Sequence, residues 1–246
     1  MAETTGISWA DHTWNPWIGC TAVSPACDHC YAEAWAKRWG RDFSERRRTS
    51  AANWRIPAKL NAAAAAAGVR RRVFPSLMDP FDNQVDQAIG ADFWRVIAET
   101  PWLDWLLLTK RPQNIRKMLP AGWGKGWPNV WLGTTAENQD EADRRLWALT
   151  KVPAVLHFVS CEPLLGPVWL PDYLGWELKW VICGGESGPG ARPMDPAWAR
   201  SLRDQCAGKA VPFHFKQWGG ASAKAGGRLL DGREHLDIPL PEMIRP

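Results

Sequence analysis

No apolar run approaches the ~18 residues of a membrane-spanning helix, and the opening MAETTGISWADHTW holds no basic stretch followed by an apolar one. Neither a membrane protein nor a secreted one is expected, so the expected location is cytoplasmic. There is no tandem repeat, no linker long enough to separate one domain from another, and no GxGxxG after the first apolar run. That last absence counts against a dinucleotide-binding sheet. Charge of one sign is missing too: 30 Lys and Arg against 26 Asp and Glu leave +4, which excludes a supercharged tail and, with 46% apolar residues, a disordered chain. A chain of 246 residues buries about three quarters of its unfolded surface, so it needs no disulfide or metal merely to fold. What abounds is tryptophan, 18 in all, most of which must be core or rim.

The six cysteines are not spread like a secreted disulfide framework. Cys161, Cys183 and Cys206 stand singly, whereas Cys20, Cys27 and Cys30 lie together as C-x6-C-x2-C on a loop leading into a helix from about Tyr31. Three thiolates suit a [4Fe–4S] cluster with one iron left open for substrate or cofactor. They equally suit zinc with His29 or His12 as fourth ligand, and plain thiols are the third reading. Cys206 shares a helical face with Ala199 and Leu202, which makes it a buried structural thiol.

Along the chain, β-like apolar runs alternate with helical patterns. The runs are Val73–Leu77, Trp105–Leu108, Val130–Leu132, Val155–Val159, Trp180–Cys183 and Val211–Phe215, with one more near Trp14–Gly19. Helices are expected after Pro57 through the alanines Ala62–Ala67 to Gly68, and over Asp92–Glu99, Pro112–Leu119, Gln139–Leu149 and Pro196–Ala207. The last has Asp195 as N-cap and Gly208 just past its end. Such alternation gives right-handed βαβ units and a parallel sheet. The expected fold is therefore α/β: a single-domain (β/α) barrel over residues 1–246, partial, with six to seven parallel strands. A doubly wound sheet is the alternative. Residues 219–246 read as a C-terminal tail in loop conformation.

In either architecture function sits just past the carboxyl ends of the strands, and the polar residues of the runs gather there. Thr109, Lys110 and Arg111 suit a carboxylate or phosphate. Glu137 and Asn138 read as site residues or as a helix N-terminus. Glu162 is a candidate site carboxylate, and Lys216, Gln217 and Trp218 candidate pocket residues. The Gly188–Arg192 stretch reads as an anion cradle or a plain turn.

The Asn-Pro-aromatic-x-Gly-Cys…Cys-x-x-Cys-Tyr arrangement, here NPWIGC and CDHCYAE, resembles the radical S-adenosylmethionine (SAM) enzymes, especially spore photoproduct lyase and its relatives. More closely, the chain resembles a phage and prophage family of unassigned function. SLMDPF, LLLTKRPQNI, WLGTTAENQ, FVSCEPLLGP, VICGGESGPGARPM and FHFKQWG carry that likeness from Asn15 to Gly219. The usual radical-SAM spacing is C-x3-C-x2-C, and this loop inserts three further residues between its first two cysteines.

The resemblance implies that Cys20, Cys27 and Cys30 ligate the cluster. SAM would bind the open iron, an external electron donor would reduce the cluster, and a 5′-deoxyadenosyl radical would act on a nucleobase, nucleotide or DNA. The host would be a bacterial or phage-infected cell. Asp79, in MDPF, resembles the lyase relatives' Thr-Asp-Pro-Tyr element facing the SAM amino group. Gly184-Gly185-Glu186 resembles the superfamily's SAM-binding motif in letters. Cys161 or Cys183 would donate a hydrogen atom to a product radical, with a small buried thiol as the alternative.

From Lys37 to Arg72, eleven Lys or Arg face two acids, with Trp39 and Trp54 interleaved. That segment reads as a nucleic-acid patch or as a solvated face.

Overall fold

Successive crossovers, most of them helical, return the chain parallel to the strand it left, so the strands are laid down in sequence order. The computed structural model describes residues 5–222 and 225–240. After β1 (His12–Thr13) comes an antiparallel ribbon of β2 (Trp17–Ile18) and β3 (Arg47–Arg48). The following strands are β4 (Arg71–Phe74), β5 (Leu103–Thr109), β6 (Val130–Thr135), β7 (His157–Cys161), β8 (Trp180–Gly184) and β9 (Phe213–Gln217). They stand parallel beside β1 in the order β1-β4-β5-β6-β7-β8-β9 and curl into a half-barrel. The strand order never reverses, which sets the doubly wound alternative aside.

The first strand is a correction. The pairing residues are His12 and Thr13, opposite Val73 and Phe74, while Trp17 and Ile18 of the expected Trp14–Gly19 run pair with Arg48 and Arg47 of the ribbon.

The helices are α1 (Tyr31–Arg38), α2 (Ala51–Trp54), α3 (Ile56–Ala67), α4 (Gln87–Ala98), α5 (Pro112–Met118), α6 (Gln139–Thr150) and α7 (Pro196–Gly208). Gly68, at φ +65°, closes α3 in the left-handed conformation that glycine adopts cheaply. Asp86 caps α4, so that helix starts upstream of the expected Asp92. Asp195 caps α7 as expected, but Gly208 lies inside the helix and Lys209 ends it.

Strand alternation divides the core in two. One side chain set, including Val73, Trp105, Leu107, Leu132, Val159, Val181 and Phe215, packs outward against helix residues Phe93, Ile97, Leu146 and Leu202. The other set, Phe74, Leu106, Trp131, Phe158, Trp180 and Ile182, packs inward and is closed below by Trp9. The described stretch of the tail runs along β9, where Phe215 N–H donates to His235 O at 2.8 Å and Trp180 Nε1 to Asp237 O at 2.9 Å.

Candidate functional site

Above the aromatic floor, the inner face of the half-barrel opens into a cavity of about 800 Å³ at the carboxyl ends of the strands. That size suits a cofactor or small substrate. Leu108, Lys110, Thr135, Ser160, Glu162 and Lys216 line it from successive strands, and the cysteine loop lines its other side with Cys20, Cys27, His29 and Cys30. All three loop thiols are free and half-buried. Among the described residues no group of three His, Cys, Asp or Glu stands arranged to hold a metal ion. The donor chemistry nonetheless fits a thiolate-bound group, because three soft ligands face one cavity.

Gly19 sets where the loop begins. Its φ is +127°, and a Cβ there would lie 2.0 Å from Glu45 O, so only glycine lets the loop pass the ribbon. Cys20 N–H then donates to Phe43 O at 2.8 Å.

Buried charged groups bolt the loop to the strand ends. Asp79 takes N–H from Phe81 (2.9 Å) and Lys110 (3.0 Å), the Thr109 hydroxyl (2.6 Å) and Arg111 Nη1 (3.1 Å). A carboxylate has about four acceptor positions. Asp79 therefore has none left for a cofactor amino group, and its expected role is corrected to that of a brace. Through it Arg111 is aimed at the loop, with Nη1 3.3 Å from Cys20 Sγ and Nη2 2.6 Å from Thr21 O. Burial, aided by Asp79, pushes the Cys20 thiol up and outweighs the lowering by Arg111.

Glu186 is the second brace. It accepts from His29 Nδ1 (2.8 Å), Arg192 N (2.9 Å), Arg192 Nε (3.0 Å) and Arg192 Nη2 (2.5 Å). Burial works to raise this carboxyl, but the Arg192 and His29 bonds bring it down to about 2. Arg192 in turn reaches Asp28 at 3.0 Å and Pro25 O at 2.8 Å, so the Gly188–Arg192 loop is a clasp on the cysteine loop, with its guanidinium committed. Gly185 is needed where β8 meets the last strand's exit, since a Cβ would lie 1.9 Å from Trp218 O.

Glu137 is the third brace, outside the cavity lining. It accepts from Ala26 N at 3.2 Å and from the fully buried Arg145 at 2.8 Å. Burial raises its carboxyl, and Arg145 with Ser24 and the Ala26 amide more than compensates, holding it below the usual range. Asn138 is the N-cap of α6, its side chain accepting from Glu141 N at 3.0 Å, so it serves as the helix start rather than as a cofactor contact.

Glu162 and Lys110 differ from these braces. Among the described residues one oxygen of Glu162 is engaged, by Lys216 Nζ at 2.5 Å with Gln217 Nε2 at 3.5 Å. Gln217 also donates to Ser187 Oγ at 2.6 Å. The Lys110 ammonium lines the cavity with no carboxylate in ion-pair reach among the described residues.

Cys161 and Cys183 require correction as cavity groups. They pair in register across β7 and β8, point outward into the core beneath the helices, and do not line the cavity. Burial pushes both thiols well up. Strand alternation gives their neighbours Ser160 and Glu162 to the cavity instead. Cys206 is buried with Ala199 and Leu202, as its spacing indicates.

About half of the basic segment is ion-paired. Arg46 pairs with the buried Asp82, Arg47 with Glu45, Arg48 with Asp92, Arg70 with Asp104 and Arg72 with Asp11. Trp54 lies under Arg48, 3.9 Å from ring centroid to guanidinium. The patch as a whole is not a free cationic surface.

Three site groups do not stand out individually in the sequence. Arg111 is one of a polar trio there, although its place two residues past Thr109 hints at the same cavity. Arg145 shows only as the i+4 partner of Glu141, which it does meet at 2.9 Å. Ser160 carries no signal beyond its strand-end position.

Among the described residues no helix is long and apolar enough to cross a membrane. No curated protein and no solved structure matches the chain. One family model matches residues 4–239, and the chain belongs to that family, described as Protein of unknown function (DUF5131).

Proposed function

We propose that the protein is an enzyme that holds a [4Fe–4S] cluster on Cys20, Cys27 and Cys30 and uses SAM for radical chemistry on a nucleobase, nucleotide or DNA. The observation that carries this reading is that three free, half-buried thiols of one loop line a single cavity at the carboxyl ends of a parallel half-barrel. When bound, the cluster and SAM supply a reductively generated 5′-deoxyadenosyl radical, fed by an external electron donor.

The chain's own groups supply the setting. Asp79, Glu137 and Glu186 hold the loop over the strand ends through Arg111, the Ala26 amide and the His29–Arg192 pair. Arg111, within reach of Cys20 Sγ, offers a hydrogen bond that stabilises its thiolate. Lys110 attracts a carboxylate or phosphate group of the bound molecules. The open oxygen of Glu162 accepts a hydrogen bond or proton from substrate, while Lys216 holds that carboxylate in place. The aromatic floor around Trp9 keeps water from entering below, which protects a reactive radical.

Dithionite and SAM added to anaerobically purified protein should yield 5′-deoxyadenosine, and the Cys27→Ala variant should yield none. Absence of 5′-deoxyadenosine from an iron-loaded protein would sink the SAM step.

One observation favours a second reading. His29 gives Nδ1 to Glu186, the orientation a carboxylate imposes on a metal-binding imidazole, so His29 Nε2 with the three thiolates would complete a structural zinc site. In that version the protein binds nucleic acid without cleaving SAM. It predicts colourless protein with stoichiometric zinc and no iron.

A further inference from the structure

Six of the eleven basic residues of the segment are ion-paired among the described residues, and one stretch of it sets two of the others beside aromatic residues. Along α1 and its C-cap, Tyr31, Trp35 and Trp39 recur at i, i+4 and i+8, which places them on one helical face about 6 Å apart along the axis. Tyr31 is 55% exposed and Trp39 63%. Trp35 and Trp39 belong to neither hydrophobic cluster, yet their rings neighbour each other at 6.4 Å between centroids. The other exposed indoles, Trp102, Trp147, Trp169 and Trp176, have no aromatic neighbour among the described residues, whereas Trp35 and Trp39 have each other.

Cations accompany this stripe. Lys37 is paired with Glu33, but Arg38 and Arg41 have no carboxylate in ion-pair reach among the described residues. The Arg41 guanidinium lies 5.6 Å from the Trp35 ring centroid. The stripe leads straight to the site: Tyr31, Lys37 and Arg41 line the cavity, and Tyr31 Oη donates to Ser76 O at its edge.

We propose that the Tyr31–Trp35–Trp39 stripe with Arg38 and Arg41 is a stacking surface for single-stranded nucleic acid, which it leads to the cavity mouth. Successive bases lie on successive rings while the two guanidinium groups meet phosphates. Ring faces are indifferent to base identity, so this surface positions the strand and leaves selection to the cavity. The proposal rests on the nucleic-acid substrate of the function given above and assigns to it a single-stranded entry path.

The test is anisotropy of labelled oligothymidylate and oligouridylate with the protein as purified, at low and moderate salt. Binding should weaken about tenfold for each indole removed in Trp35→Ala and Trp39→Ala. Trp39→Phe should recover most of the loss, and Trp176→Ala, 84% exposed in an unrelated loop, should change nothing. Arg38→Ala with Arg41→Ala should weaken binding and flatten its salt dependence. Preference for either oligomer supports the proposal and names the strand chemistry. No binding by the unaltered protein, no effect of Trp39→Ala, or an equal effect of Trp176→Ala would overturn it. Iron content and 5′-deoxyadenosine formation without oligonucleotide report separately on the cluster and SAM, so a failure here is distinguishable from a failure there.

Discussion

Two sets of three cysteines occupy this chain, and they lead different lives. Cys20, Cys27 and Cys30 sit half-buried on a loop facing the cavity; Cys161, Cys183 and Cys206 are fully enclosed between sheet and helices. Burial raises the Cys206 thiol to about 12 and the other two further, so none of the three offers a thiolate at neutral pH. The difference comes from which face of an element a sulfur leaves, and proximity to a strand end does not decide it. A one-residue step past the end of β7 separates Cys161 in the core from Glu162 in the cavity.

The comparison breaks most sharply under substitution. Changing any loop cysteine to Ala should abolish bound metal while leaving the urea midpoint within the error of a surface change, about 0.5 kcal/mol. Cys161→Ala should do the reverse, retaining metal and losing about 1–2 kcal/mol to the small void it leaves. Metal analysis and urea titration on the same samples check both.

The braces that hold the loop carry the next effect. Glu137→Ala leaves Arg145, 1% exposed, without its closest carboxylate. Stability should fall by about 3 kcal/mol, since Glu141 still meets that arginine. An unchanged urea midpoint would show the loop to be held by other contacts.

Acid should loosen the two ends of the half-barrel in separate windows. His214, at the inner floor beside Ser8, is lowered to about 4 by burial. The unfolded chain takes its proton near 6.5, so stability falls as pH drops from about 6.5 to 4, by on the order of 2–3 kcal/mol. Glu186, held at about 2 in the fold, adds stability that is complete above its unfolded value and fades as pH falls from about 4.5 to 2. His214→Phe should shrink the upper window, to which His157 and His235, also lowered by burial, contribute, and leave the lower one; loss of both would mean that the two groups titrate together.

The smallest effect on stability and a large one on function should come from Lys110→Met. With no carboxylate partner to strand, the change should move the urea midpoint by no more than about 0.5 kcal/mol while weakening SAM or substrate binding at least tenfold. A shift in stability without a change in binding would make Lys110 a structural residue.

Much of this architecture is legible in the sequence. Gly68, Asp195 and the polar strand ends follow from caps and from the way parallel sheets present their carboxyl ends, and the strand count comes out at seven. The side each thiol takes is not. Strands buried on both faces show no apolar alternation, so Val159, Ser160 and Cys161 carry no mark of which points inward. The pairing of the basic segment is equally hidden, because Asp82, Asp92 and Asp104 lie far along the chain from the arginines they neutralise. The roles of Asp79 and Glu186 turn on how many donors surround each carboxylate, which only the fold brings together.

The most direct measurement is iron and acid-labile sulfide per chain in anaerobically purified protein, repeated for each of the six Cys→Ala variants. About four irons and four sulfides, lost in the Cys20, Cys27 and Cys30 variants and kept in the Cys161, Cys183 and Cys206 variants, is the expected result. Zinc in place of iron, or a cluster that survives Cys27→Ala, would contradict the account.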